Sequence, residues 1–266
     1  MPRTPEIRAL HRGLEILELV NLHNNARLRD FVELTGLPKT TVYRILDNLC
    51  AAGYLTRVGR GDRYRLTVQV RRLSDGYQDS GWISDVARPL LQKLCNEISY
   101  PVAIATPYGT AMMLRDNTDS QSALVTNVYT RGTLLPMFTS ATGKVYLAFC
   151  DSVTRKTILD VCADSSDPNH DIARHPRLVK QIITQISKQG YAFGQGGRHN
   201  DTGIKTSTCA VPIRAANQLI GCLAVRYVDE HLSRDEAAIN FVARLKRCAN
   251  LIGRKVSAIA ATTRQV

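Results

Sequence analysis

A chain of 266 residues with 44% hydrophobic and 22% charged side chains has the apolar material to bury one or two cores, which excludes disorder as an overall description. Its net charge of +12 favours a polyanionic partner such as nucleic acid or an acidic membrane surface. Half of that charge falls in residues 38–72, where Lys39, Arg44, Arg57, Arg60, Arg63, Arg65, Arg71 and Arg72 outnumber Asp47 and Asp62, whereas residues 1–37 cancel. The seven cysteines are scattered, odd in number and without C-x-x-C spacing, so neither a disulfide framework nor a structural zinc site is expected. With no signal-like apolar core in "MPRTPEIRALHRGLEIL" and no run of roughly 18 apolar residues, the expected location is the cytoplasm, without a membrane span.

In chain order, the apolar spacing predicts a helix over 7–22 and a second over "RLRDFVELTG" with Gly36 as its stop. Pro38 suits the first turn of a third, with Val42, Ile45, Leu46 and Leu49 as its core stripe. After Gly53, "YLTRVGRGDRYRLT" alternates as a β-hairpin with arginines at its tip. A helix over 68–77, with Val70, Leu73 and Tyr77 on its packing side, leads to a domain boundary near residues 75–82. Beyond it the pattern predicts a Ser84-capped helix, strands flanking Tyr108-Gly109, a strand over "SALVTNVYT", and helices over "SATGKVYLAFC" and "VKQIITQISKQG". A hairpin of long strands around "AANQ" and a final helix over 233–260 complete the chain.

Three helices with a tight turn before the third, followed by a basic hairpin, form the pattern of a winged helix-turn-helix. Lys39, Thr40, Thr41, Tyr43 and Arg44 fall in the first two turns of the third helix, away from its apolar stripe, where a reading helix presents side chains to the major groove. Arg44 is the candidate for bidentate contact with a guanine edge, and Thr40, Thr41 and Tyr43 for a thymine methyl or a phosphate. Arg57, Arg60 and Arg63 on the wing are candidates to grip the DNA backbone or enter the minor groove. A basic helix face is more often merely solvated; its coincidence with the wing and the local charge decides for double-stranded DNA.

The chain resembles the IclR family of bacterial transcriptional regulators. The resemblance rests on "RGLEILELV", "LTGLPKTTVYRILDNLCAAGYL", "YRLTVQVRRLSDGY", "LPMFTSATGKVYLAFC", "KQGYAFGQGG" and "AVPIRAANQLIGCLAV", spread over nearly the whole length. Within the family, "RLTVQVRRLSDGYQDSGWISDVARPLL" is most similar to the branch that controls aromatic-acid catabolism. The resemblance implies an α+β chain: a winged helix-turn-helix over 1–66, a linker helix over 67–81, and a GAF/PAS-like α/β effector-binding and oligomerisation domain over 82–266. It further implies a small aromatic carboxylate as effector, held by Ser140, Ala141 and Thr142, by Gly194 and Gln195, by Thr206, and by Cys222, Ala224 and Arg226. Arg226 departs from the small neutral residues usual there. On the face shared with Cys222 and Ala224 it is suited to clamp a carboxylate, even of a dicarboxylate, or to pair with an acid such as Asp229. Arg115 and Arg131 are lesser candidates. The expected assembly is a homodimer or a dimer-of-dimers tetramer on a palindromic operator, with RNA polymerase as a further partner if the protein activates.

An enzyme fused to a DNA anchor, or an effector-independent repressor or architectural DNA-binding protein, are the rival readings. The six histidines show no H-E-x-x-H or H-x-H spacing, and no G-x-S-x-G elbow occurs. Thr139, Ser140 and Thr142 beside Lys144 read better as a helix cap than as a nucleophile and base. Gly194, Gly196 and Gly197 lack the context of a phosphate loop. No enzyme activity, cofactor or metal is therefore expected.

Overall fold

The computed structural model describes residues 7–59, 62–73, 81–121, 129–195 and 205–263, and divides into two compact units, Met1–Gln78 and Asp79–Val266. In the N-terminal unit, helices α1 (Arg8–Leu22), α2 (Leu28–Thr35) and α3 (Lys39–Ala51) close on Ile16, Val20, Phe31, Val42 and Leu46, all fully buried. Ile45 and Leu49 of the expected stripe are only half-buried, at the margin of this core. The α2–α3 turn is made by Gly36 in the left-handed region (φ 64°), its N–H donating to Val32 O at 3.0 Å. Pro38 stands at the N-cap of α3, one residue before the first turn predicted for it. Strands β1 (Leu55–Arg57) and β2 (Tyr64–Leu66) pair antiparallel, Leu55 opposite Leu66, and bury Leu55 and Tyr64 against the helices.

The helix expected over 68–77 is a tighter 3-10 segment over Val68–Leu73, and Leu73, assigned to its packing side, is exposed. Its start is held by Thr67 rather than by an α-helical cap: the Thr67 hydroxyl donates to Gly53 O at 2.5 Å and accepts from Gln69 N at 3.2 Å. Residues 74–80 of the expected linker, Tyr77 among them, lie outside the described residues.

The C-terminal unit is a six-stranded antiparallel sheet with helices on both faces. Helix α4 (Arg88–Ile98) is entered through a π-turn over Ile83–Ala87. Ser84 sits inside that turn, its hydroxyl donating to Gly81 O at 3.2 Å, so it is not the predicted cap; the chain is already helical at residue 81. Strands β3 (Val102–Tyr108), β4 (Ala111–Asn117) and β5 (Leu134–Pro136) are followed by α5 (Ala141–Phe149), α6 (Ser152–Ala163), α7 (Pro176–Gln189) and β6 (Ala192–Gln195). Long strands β7 (Thr206–Ala215) and β8 (Gln218–Val228) and helix α8 (Arg234–Thr263) end the unit, and the strand order is β5-β4-β3-β8-β7-β6. The predicted strand "SALVTNVYT" falls mostly on residues 122–128, outside the described residues, and Tyr129 and Thr130 are not in a strand.

Strand alternation sorts the side chains of this sheet. Val102, Ile104, Val211, Ile213, Leu223 and Val225 face α4 and α8, burying Leu91, Phe241, Leu245 and Ile252 with them. Ala105, Met112, Ala210, Cys222 and Ala224 face α5, α6 and α7. Apart from Met112 these residues are small, which lets helix α5 seat closely over the sheet.

Candidate nucleic-acid interface and ligand cavity

On α3, Lys39, Thr40, Tyr43 and Arg44 are exposed and Thr41 is half-buried, as expected of a face turned away from Val42 and Leu46. Thr41 N and Val42 N donate to Pro38 O (2.8 and 3.1 Å), leaving the N–H groups of Lys39 and Thr40 at the positive end of the helix, where a phosphate is favoured. The wing arginines are less free than the sequence implied. Arg57 Nη2 donates to Asp47 Oδ1 at 2.9 Å and to the Tyr43 hydroxyl at 3.2 Å, with its guanidinium over the Tyr43 ring at 5.3 Å. Hydrogen bonding to Tyr43 raises its pKa further. Arg57 therefore ties the wing to α3, while Arg63 donates to Asn25 O at 2.9 Å and ties it to the α1–α2 turn. Arg60 lies outside the described residues.

In the C-terminal unit a cavity of about 440 Å³ opens between the sheet face of β3, β4 and β8, strand β5 and the start of α5. Its walls are largely apolar, from Ala103, Ala105, Leu114, Leu134, Leu135 and Pro136. One end is the α5 N-terminus. Ser140 is the N-cap: its hydroxyl accepts from Gly143 N (3.0 Å) and donates to Pro136 O (2.6 Å), while Lys144 N donates to Ser140 O. The N–H groups of Ala141 and Thr142 thus stay at the positive helix end, beside the Thr142 hydroxyl. The Ser140 hydroxyl is committed to capping, and Lys144 Nζ is turned to Phe193 O at 3.1 Å. Burial lowers the pKa of Lys144.

The other end is polar and holds an ion pair. Arg226 Nη2 lies 2.9 Å from Asp119 Oδ1, and the two side chains are only 11% and 3% exposed. Asp119 Oδ2 accepts from Tyr129 N at 2.8 Å, and the guanidinium stacks 4.6 Å above the Tyr129 ring. Asp119, not Asp229, is therefore the acid that pairs with Arg226: the chain leaving β4 passes the start of β3, where Thr118 N donates to Val102 O, and so brings Asp119 beside β8, whereas Asp229 lies past the end of β8. Arg131 is drawn to another buried carboxylate, Asp116, which also accepts from Arg88, and neither Arg131 nor Arg115 lines the cavity.

Of the effector residues expected, Ser140, Ala141, Thr142, Gln195, Ala224 and Arg226 line this cavity. The other three sit behind it. Cys222 is fully buried beneath α5, its thiol donating to Thr142 O at 3.4 Å. Thr206 pairs with Val228, one step beyond Arg226, and Thr208, opposite Arg226, takes the lining position. Gly194 packs against the helix end so closely that a Cβ there would come within 2.1 Å of Ala141 N. Asp119, Tyr129 and Thr133 were not foreseen, because they lie on short connections that carry no period, and Leu134 was not because it starts a strand of three residues.

The matched segments follow the same division. The IclR helix-turn-helix domain model matches residues 9–59, and that of the bacterial transcriptional regulator IclR C-terminal domain matches residues 76–254. The DNA-binding transcriptional repressor YiaJ of Escherichia coli is 31% identical over 77% of this chain and 72% of its own. The crystal structure of the Thermotoga maritima IclR superposes with a TM-score of 0.64 at 20% identity, over 95% of this chain and 100% of that one. An IclR homologue from Microbacterium hydrocarbonoxydans, solved in complex with 4-hydroxybenzoate, shares the fold with a TM-score of 0.60 at 19% identity, over 92% of this chain and 97% of its own. Among the described residues no helix is long and apolar enough to cross a membrane.

Proposed function

Since the chain belongs to the IclR family of DNA-binding transcriptional regulators, we propose that its C-terminal cavity binds a small aromatic carboxylate and that occupancy controls operator binding or activation. The observation that carries this reading is the cavity itself: about 440 Å³, walled by aliphatic side chains, with the open N-terminus of α5 and the Thr142 hydroxyl at one end. That volume suits a single substituted ring, and a helix N-terminus favours a carboxylate over a neutral group. A protein of the same fold has been solved with 4-hydroxybenzoate, a molecule of this class.

In this reading Lys39, Thr40, Thr41, Tyr43 and Arg44 enter the major groove of a palindromic operator, presented by a homodimer or a dimer of dimers, with RNA polymerase a partner if the protein activates. The chain acts in the cytoplasm and returns its ligand unchanged, needing neither cofactor nor catalytic group. Ligand binding would bias two arrangements of the assembly, as allosteric control requires.

The test is thermal unfolding with benzoates, phthalates and phenylpropionates. A ligand at 100 times its Kd adds about 2.7 kcal/mol to stability and raises Tm. Thr142→Val, which keeps the shape and removes the hydroxyl, is expected to weaken the best ligand about tenfold, roughly 1.4 kcal/mol. If no member of the panel moves Tm at millimolar concentration, the cavity is not an aromatic-acid site.

A further inference from the structure

We propose that the Asp119–Arg226 pair sets the charge selectivity of the cavity: the Tyr129 end accepts a neutral hydrogen-bonding substituent and rejects a second carboxylate. This rests on the reading of the cavity as the ligand site and adds what its far end does. An unpaired arginine on that wall would clamp a carboxylate with two parallel hydrogen bonds. Asp119 already stands against that arginine, 2.9 Å from its Nη2, so the guanidinium is answered there by a carboxylate.

A second ligand carboxylate would meet the Asp119 carboxylate at a site where only 3% of its side chain is exposed, and like charges so placed cannot both stay ionised cheaply. A hydroxyl meets no such barrier. Asp119 is also held in place, and so is the backbone of Arg226. Asp119 Oδ2 holds Tyr129 N, Asp119 N donates to Asn117 Oδ1 at 3.1 Å, Asn117 Nδ2 donates to Tyr129 O at 2.7 Å, and Arg226 N is bonded to Pro101 O at 3.0 Å. The Cα atoms of Cys222, under α5, and Arg226 are four residues apart on β8, or about 13 Å. One ring therefore fits between an anion-favouring end and one that presents the Asp119 carboxylate.

Calorimetry on the full chain tests this with ligands that differ in one substituent: 4-hydroxybenzoate against terephthalate, and 3-(4-hydroxyphenyl)propionate against 3-(4-carboxyphenyl)propionate. The native protein is expected to bind the hydroxyl member of a pair at least tenfold more tightly. Asp119→Asn, which takes the Asp119 carboxylate away from Arg226, is expected to reverse that order, and Asp119→Asn with Arg226→Gln to remove the reversal. Equal or tighter binding of the dicarboxylate by the native protein overturns the proposal while leaving the cavity an aromatic-acid site, and so does an Asp119→Asn protein that keeps the native order. Should that variant not fold, the native comparison alone decides. If the native protein binds none of these acids, nor benzoate or 3-phenylpropionate, the cavity reading falls and the proposal with it.

Discussion

The cations of the two units are placed in opposite ways. On α3, Lys39 and Arg44 stand in solvent on a helix whose other side is fully buried, and among the described arginines of the wing Arg57 and Arg63 are tied back to the helices. In the C-terminal unit, Arg88 and Arg131 close on Asp116, and Arg226 closes on Asp119, each acid almost entirely buried. Exposed cations attract a polyanion at long range and tolerate many sequences, with affinity that falls as salt rises. Cations paired with buried carboxylates do little at a distance, and Arg226, 11% exposed at the cavity, acts at contact. The basic net charge of the chain is therefore informative about one unit and nearly silent about the other.

That contrast can be broken at several points. The largest effect is expected where the cavity depends on close packing. Gly194→Ala drives a Cβ to within 2.1 Å of backbone at Ala141 and is expected to cost about 3 kcal/mol in denaturant unfolding of the C-terminal unit. An unchanged midpoint would mean that the end of α5 is not rigidly seated. An intermediate effect is expected on the exposed face: Arg44→Ala is expected to weaken operator binding by about 2 kcal/mol and to relax preference at one base pair. Lys39→Ala should instead weaken all sequences alike and lower the salt slope by about 1, as read from anisotropy titrations at several salt concentrations. Equal behaviour of the two variants would mean that α3 does not distinguish base from phosphate contacts. The smallest effect is expected from Arg57→Ala: its pairing with Asp47 is solvent-screened, so the stability loss should stay below about 1 kcal/mol, seen in the melting of the N-terminal unit.

Much of the N-terminal unit was legible because its signals are local. Gly36, Pro38, the stripe of Val42 and Leu46, and the alternation after Gly53 each act within a few residues, and each element appears where they put it. In the C-terminal unit the long hairpin and α8 were equally plain, but α6, β5 and β6 were not. Only Ile158 and Cys162 of α6 are buried, too thin a stripe to announce a helix, and strands of three and four residues do not show an alternation. The linker helix was read from the spacing of Val70, Leu73 and Tyr77, whereas its described part is held in a tighter 3-10 form through Thr67.

The sequence by itself determined the family, the reading helix and the turn that opens α5, because these depend on residue types at fixed short spacings. Only the tertiary structure decided which threonine of β7 faces the cavity, that Cys222 lies beneath it, and that Arg226 is already answered by Asp119. Those outcomes hang on strand register and on which connection ends beside which strand, properties of residues 107 positions apart in the chain for the Asp119–Arg226 pair, since 226 − 119 = 107. Charge pairing of that range leaves no local mark, so the selectivity of the cavity is written in the fold.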